Sequence, residues 1–104
     1  MKLSIIIVNY NTSHYICQTI ESIYRSNFNC TYEIIIVDNN SHDNSCEIIE
    51  SKYPDIKLVK NKTNMGFSYA VNKGVENTVK DTSTILLINP DTILDDNSIS
   101  ELYN

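Results

Sequence analysis

The stretch Ile85-Leu86-Leu87-Ile88-Asn89-Pro90-Asp91-Thr92 decides the reading of this chain. An apolar run fit for a buried strand stops abruptly in an Asn-Pro-Asp turn. A break of that kind sets Asp91 at the carboxyl edge of a sheet, where open α/β folds place their ligands. A hard cation carrying a diphosphate takes oxygen ligands of this type. Pro90 and Asp91 are also ordinary turn residues, so the stretch by itself leaves both readings open.

Working outward, three more segments end the same way. Leu3 to Val8 is β-branched and almost continuously apolar, the pattern of a strand covered on both faces. Thr12 and Ser13 are good helix caps, and Ile16, Ile20, Ile23 and Tyr24 recur at helical spacing, which predicts a helix near 13–26. After a polar loop from Asn27 to Thr31, Glu33 to Asp38 reads as a second buried strand. A turn-rich loop, Asn39 to Asn44, leads into a helix through Cys46, Ile49 and Glu50, closed by Tyr53-Pro54-Asp55 because proline disfavours helix before it. Ile56 to Val59 gives a third strand. Gly66 to Val79 gives a third helix with Phe67, Ala70, Val71 and Val75 on one side. Thr84 to Ile88 is the fourth strand, and Asp95 to Tyr103 starts a last helix. Strands alternating with helices across short connections imply a three-layer, Rossmann-like α/β fold with a mostly parallel sheet, cut off after the fourth strand.

With 104 residues the chain has room for one small domain. A net charge of −5 argues against a nucleic-acid partner, since counterion release needs clustered Lys and Arg. No run of about 18 apolar residues is present, so no helix is expected to span a membrane. The opening residues lack a small-residue cleavage site and read as a strand rather than a signal peptide. Cys17, Cys30 and Cys46 are an odd set without CxxC spacing, which fits free thiols in a reducing cytoplasm. Several Asn-x-Ser/Thr triplets occur in this Asn-rich chain and read as coincidence. His14 and His42 are isolated and receive no chemistry.

In a parallel sheet all the carboxyl ends share one edge. Here that edge gathers Asn9-Tyr10-Asn11, Asp38-Asn39-Asn40-Ser41, Asn61 to Gly66, and Asn89-Pro90-Asp91. Tyr10 offers a ring to stack on a base while its hydroxyl stays wet. Asp38 or Asn39 offers an oxygen to a pyrimidine N3–H. Asn64-Met65-Gly66 at a helix start allows backbone N–H groups to approach a ligand closely. Each has an ordinary structural reading as well: edge cover for Tyr10, Asx turns for Asp38 and Asn39, a turn glycine for Gly66. Their shared edge is what favours a ligand site.

The order of motifs resembles family 2 glycosyltransferases of the GT-A fold. The matching segments are Ser-Ile-Ile-Ile-Val-Asn-Tyr-Asn (4–11), Ile-Ile-Ile-Val-Asp-Asn-Asn-Ser-His-Asp (34–43), Asn-Met-Gly-Phe-Ser-Tyr-Ala-Val-Asn-Lys-Gly (64–74) and Leu-Leu-Ile-Asn-Pro-Asp-Thr (86–92). They span nearly the whole chain in the family order. The Val-Asp-Asn-Asn-Ser and Asn-Pro-Asp variants resemble the rhamnosyltransferase-type branch of cell-surface polysaccharide synthesis.

The resemblance implies residue roles. Val8 (through its backbone) and Tyr10 would line the nucleoside pocket. Asp38 and Asn39 would sit at the base, Asn39 standing where many members carry a second Asp. Asn64 and Gly66 would shape the sugar-nucleotide pocket, and Asn72 would help hold that segment. Asn89 and Asp91 occupy the family's Asp-x-Asp position, with Asp91 as the metal-binding carboxylate for Mg²⁺ or Mn²⁺ and Asn89 as a neutral contact suited to ribose. The implied reaction is inverting transfer of a sugar from a UDP- or dTDP-linked donor to a saccharide or lipid-linked acceptor. In the family the general base lies beyond the Asp-x-Asp segment, so residues 1–104 would be the nucleotide-sugar-binding half, inactive alone, with an exposed sheet edge inclined to self-association. Cytoplasm, or the inner membrane face for a full-length protein, is the expected location.

One rival is a non-catalytic nucleotide-sugar binding or assembly module of the same fold. Other α/β classes lack their signatures here. No G-x-G-x-x-G follows the first strand, no P-loop occurs, and no acids cluster after strand one as in a receiver domain.

Overall fold

The structure is a computed structural model and describes residues 2–26 and 30–92. Along the chain run β1 (Lys2–Asn9), α1 (Ile16–Arg25), β2 (Thr31–Asp38), α2 (Ser45–Lys52), β3 (Lys57–Lys60), α3 (Phe67–Glu76) and β4 (Thr82–Ile88). The four strands form one sheet in the order β3-β2-β1-β4, and every pair is parallel. The last helix expected at 95–103 and most of the loop expected at 27–31 lie outside the described residues. Thr31 itself belongs to β2.

Register explains how a continuous apolar run serves two cores. Ile5 pairs with Ile34 and Leu86, and Ile7 with Ile36 and Ile88. These residues pack with Ile16, Ile20 and Ile23 of α1 and with Ile49 of α2 on one face. Ile6, Ile35 and Val37 point the other way and meet Ala70 of α3. Successive strand residues alternate faces, so both faces of β1 and β2 must be apolar once helices cover both. The result is three layers, with α1 and α2 on one side and α3 on the other.

The strand order follows from those helices. The chain steps from β1 to β2 to β3 in one direction, then α3 crosses back over the opposite face to place β4 on β1's far side. Right-handed crossovers in opposite directions put helices on opposite faces. The reversal falls between β1 and β4, the kind of switch point at which open α/β sheets bind ligands.

Several element boundaries differ from expectation. The first helix begins at Ile16, not 13, and no side chain caps it. The hydroxyl of Thr12 donates to Asn9 Oδ1 instead, and the Ser13 N–H donates to Asp43. The third helix ends at Glu76, short of 79, because the Asn77 amide and the Thr78 hydroxyl bond back to the carbonyls of Lys73 and Val75. Its inward face also differs. Ala70 and Gly74 are buried, whereas Phe67 and Val75 are exposed. A β-carbon at Gly74 would lie 2.7 Å from Ile6 Cγ2, so α3 approaches β1 more closely than any side chain would permit there.

Candidate functional site

Tyr10, Asp38, Asn39, Asn64, Gly66, Asn89 and Asp91 all fall at or just beyond the carboxyl ends of the strands, with Val8 one residue inside β1. Asn72 lies within α3, exposed, and its side chain makes no hydrogen bond among the described residues. The segment before α3 is instead held by Asn64, whose Oδ1 accepts the Gly66 N–H at 2.9 Å, and by Asn39.

Beneath the edge lies a buried polar frame. Asn9 and Asp38 are register partners at the ends of β1 and β2. Both are nearly inaccessible, and Asn9 Nδ2 donates to Asp38 Oδ1 at 2.7 Å. The same amide donates to Ser45 Oγ at 3.0 Å and to Ser41 Oγ at 3.3 Å. Both hydroxyls pass the donation on: Ser45 to Asp43 at 2.5 Å, Ser41 to Asp38 at 2.6 Å. The Ser41 N–H adds a bond to Asp38 Oδ2 at 2.9 Å. Every donation terminates on a carboxyl group, that of Asp38 or Asp43. Sharing among buried groups of this kind avoids the cost of leaving a polar atom unpaired.

Two titrations follow from the frame. Burial pushes the Asp43 carboxyl up, yet hydrogen bonds from Ser45 and Ser13 outweigh it and hold the group below its ordinary value. Burial and, after it, the adjacent Asp38 carboxylate together push the Cys46 thiol up to about 12, so the thiol stays protonated and unreactive.

Around the frame stand exposed groups. The Tyr10 ring is 43% exposed. Asn11 and Asn40 flank the frame with positive φ (53° and 66°), and asparagine tolerates that region better than most residues. The Thr92 N–H bonds to the Asn89 carbonyl at 3.1 Å, closing a turn with Pro90 inside it. Thr19 of α1 anchors that turn through the Pro90 carbonyl at 2.5 Å. The turn reading and the ligand reading therefore coexist, since the turn carries Asp91 outward. Asp91 is exposed and has no hydrogen-bond or ion-pair partner among the described residues. No group of three His, Cys, Asp or Glu residues that could hold a metal ion occurs among those residues. A single free carboxylate suits a cation that arrives with phosphate oxygens and water rather than one caged by protein.

A cavity of about 430 Å³ between Tyr24, Tyr32 and Tyr53 lies away from this edge, whereas one of about 470 Å³ lined by Lys60, Asn61, Thr63, Met65 and Tyr69 adjoins its Asn61–Gly66 loop. The sequence places Asn9, Ser41 and Asn61 on this edge but gives them, Asp43 and Ser45 no role, and these five build the support. Their signal was faint: polar residues at strand ends look alike whether they face solvent or each other.

Comparison with known proteins gives the family. The profile of glycosyl transferase family 2 matches residues 4–104. The minor teichoic acid biosynthesis protein GgaA of Bacillus subtilis is 33% identical over 107 residues, which is 97% of this chain and 24% of that protein. The crystal structure of Staphylococcus aureus TarS (residues 1–349) in complex with UDP superposes with a TM-score of 0.85 at 23% identity, covering 99% of this chain and 31% of that one. The mannosyltransferase PcManGT of Pyrobaculum calidifontis, solved with GDP-Man and Mn²⁺, superposes with a TM-score of 0.76 at 20% identity, covering 88% and 28%. The structural likeness is one of fold, a GT-A-type Rossmann-like α/β sheet. The chain spans about a quarter of the length of GgaA.

Proposed function

Because the chain belongs to glycosyl transferase family 2, we propose that residues 1–104 are the nucleotide-sugar-binding half of an inverting glycosyltransferase. The observation that carries the reading is the convergence of an exposed ring (Tyr10), a glycine-opened helix start (Gly66) and a carboxylate unpartnered among the described residues (Asp91) on one sheet edge, beside the switch point. In this reading Tyr10 stacks on the base and the Val8 backbone lines its pocket. Asp38, with Asn39 beside it, faces the base. Asn64 and Gly66 close on the sugar-diphosphate, with Asn72 further along the same helix, and Asn89 meets the ribose.

Asp91 would hold a divalent cation, Mg²⁺ or Mn²⁺, through its carboxylate. Bound there, the cation would supply Lewis-acid stabilisation of the departing diphosphate. TarS has been solved with UDP and with UDP-GlcNAc, and PcManGT with Mn²⁺, which supports a nucleotide-sugar donor and a metal for this chain. UDP is the favoured carrier, with dTDP the other candidate. The acceptor would be a hydroxyl on a saccharide or a lipid-linked saccharide, deprotonated by a general base that we do not assign to residues 1–104. The product we propose is a cell-surface polysaccharide, a reading supported by the relative GgaA being a minor teichoic acid biosynthesis protein, and the rhamnosyltransferase-like branch is the narrower proposal. No helix of the described residues is long and apolar enough to cross a membrane. We place the work in the cytoplasm, at the inner membrane face for a longer protein. Exposed Ile85 and Leu87 on the open β4 edge would promote self-association of the isolated chain.

The second reading, a non-catalytic nucleotide-sugar binding module, shares every residue above and differs only in the absence of a base downstream. Calorimetric titration of UDP and dTDP, with and without Mn²⁺, on the wild type and Asp91→Ala, tests the binding site common to both. Metal-dependent binding lost in Asp91→Ala is the expected result. Binding that ignores both the metal and the substitution would overturn the role of Asp91. Absence of binding in every condition would count against the donor site itself.

A further inference from the structure

Asn39 has both ends of its side-chain amide engaged. Its Nδ2 donates to the Gly66 carbonyl at 3.3 Å, and its Oδ1 accepts Asn61 Nδ2 at 2.9 Å. Its backbone N–H is bonded to the Asn9 carbonyl at 2.9 Å, and the side chain is only 3% exposed. The direction of this chain of amides is fixed by its far end. A backbone carbonyl can only accept, so Asn39 must present its NH₂ to Gly66, its oxygen must face Asn61, and Asn61 must donate.

The Gly66 carbonyl also accepts the Ala70 N–H at 3.2 Å, the bond that opens α3. A carbonyl has two lone pairs, so Asn39 and the first helical turn hold one oxygen together. Gly66 is the residue that needs holding. It sits at φ +91° with nothing within 4 Å of where a β-carbon would be, so packing does not fix it. Loss of backbone freedom is greatest at glycine, and a hydrogen-bonded anchor offsets part of that cost.

We infer that Asn39 is a positioning residue: its buried amide ties the ends of β2 and β3 to the Gly66 carbonyl and so sets the start of α3. This rests on the nucleotide-binding reading above, and it gives Asn39 a different role from the base contact that the family resemblance implies. The requirement is for an amide. Aspartate has the same shape but, ionised, offers no donor to Gly66 and places a carboxylate oxygen against a carbonyl oxygen.

The test is amide hydrogen exchange of the whole chain as wild type, Asn39→Asp and Asn61→Ala, read residue by residue. Asn39→Asp is expected to speed exchange at Ala70 by about tenfold, the scale of one hydrogen bond, while Ile6 and Ile35 stay within about twofold. Asn61→Ala, the milder change, is expected to give the same local pattern at about threefold. Unchanged exchange at Ala70 would overturn the inference, as would equal acceleration at Ile6 and Ile35, which marks general fold support. Should Asn39→Asp fail to fold, Asn61→Ala carries the exchange readout alone. A second readout separates the roles at the site. Asn39→Asp is expected to weaken UDP by about fivefold and to leave uridine unchanged, because only the diphosphate reaches the helix start. An equal loss for uridine would restore Asn39 as a base contact. If neither nucleotide binds the wild type, the donor-site reading fails while the exchange result still decides the role of Asn39.

Discussion

The two ends of the sheet solve the same problem with different chemistry. At the amino edge the ionised carboxylate of Glu33 gathers three elements. Ser4 Oγ of β1 donates to it at 2.6 Å, the Val79 N–H beyond α3 at 2.9 Å, and Lys57 Nζ of β3 lies 3.1 Å away. At the carboxyl edge the carboxyl groups of Asp38 and Asp43 are met by a neutral amide, that of Asn9, and by the hydroxyls of Ser41 and Ser45, while the amides of Asn39 and Asn61 tie in the Gly66 carbonyl. The amino-edge cluster is closed on itself. The carboxyl-edge cluster is a support on which Tyr10, Gly66 and Asp91 stand exposed. Buried polarity at this sheet is structural at both ends, and the exposed groups at the carboxyl edge mark the working end.

The sharpest way to break the comparison is Asn9→Ala, which strips donors from the buried Asp38 carboxylate and acceptors from Thr12. Chemical denaturation is expected to show a loss of about 3 kcal/mol, the scale of a buried polar group left unpaired beside a charge. A loss below about 1 kcal/mol would mean that water or a rearranged side chain replaces the amide. Next comes Asp91→Ala, expected to weaken metal-dependent UDP binding about 100-fold, or roughly 2.7 kcal/mol, with stability held within about 0.5 kcal/mol. A matching stability loss would make Asp91 part of the support after all.

At the amino edge, Glu33→Gln is expected to cost about 1–2 kcal/mol of stability and to leave UDP affinity unchanged. The modest size reflects the solvent exposure of Lys57, which weakens the ion pair. Any effect on UDP would dissolve the division between the two ends. The smallest expected effect is in acid. Burial raises the Glu33 pKa, but hydrogen bonds from Ser4 and Val79 and the Lys57 charge outweigh it, so the folded-state value lies below 4.5. The folded protein therefore holds on to ionised Glu33 where the unfolded chain has begun to take up a proton. Its contribution is complete above pH 4.5 and fades as pH falls through the lower folded value. Asp43 behaves likewise from 3.8 downward. Urea midpoints measured from pH 6 to pH 3 should fall less steeply in Glu33→Gln than in wild type. Parallel curves would show that Glu33 titrates as it does in the unfolded chain.

Much of this was legible beforehand, and for local reasons. The runs Ile5-Ile6-Ile7-Val8 and Ile34-Ile35-Ile36-Val37 announce strands buried on both faces, because four consecutive β-branched residues without a polar break leave neither face of the strand for water. Boundaries were less legible. Thr12 has the chemistry of a helix cap, yet its hydroxyl meets Asn9, a partner supplied by the bend after β1. Phe67 and Val75 obeyed the helical period and still faced solvent, because Gly74 and Ala70 let α3 settle on Ile6 along a different stripe.

The sequence by itself determined the alternation of strand and helix, the parallel sheet that alternation requires, and the family to which the chain belongs. Those features follow from side-chain periodicity and short motifs, which act over a few residues. Only the tertiary structure decided that Asn9 would meet Asp38 across 29 positions, that Asn39 would donate to Gly66 across 27, and that Asp91 would stay unpartnered among the described residues. A hydrogen bond between distant residues depends on register and on which face of the sheet each helix covers, and neither quantity is carried by any single segment.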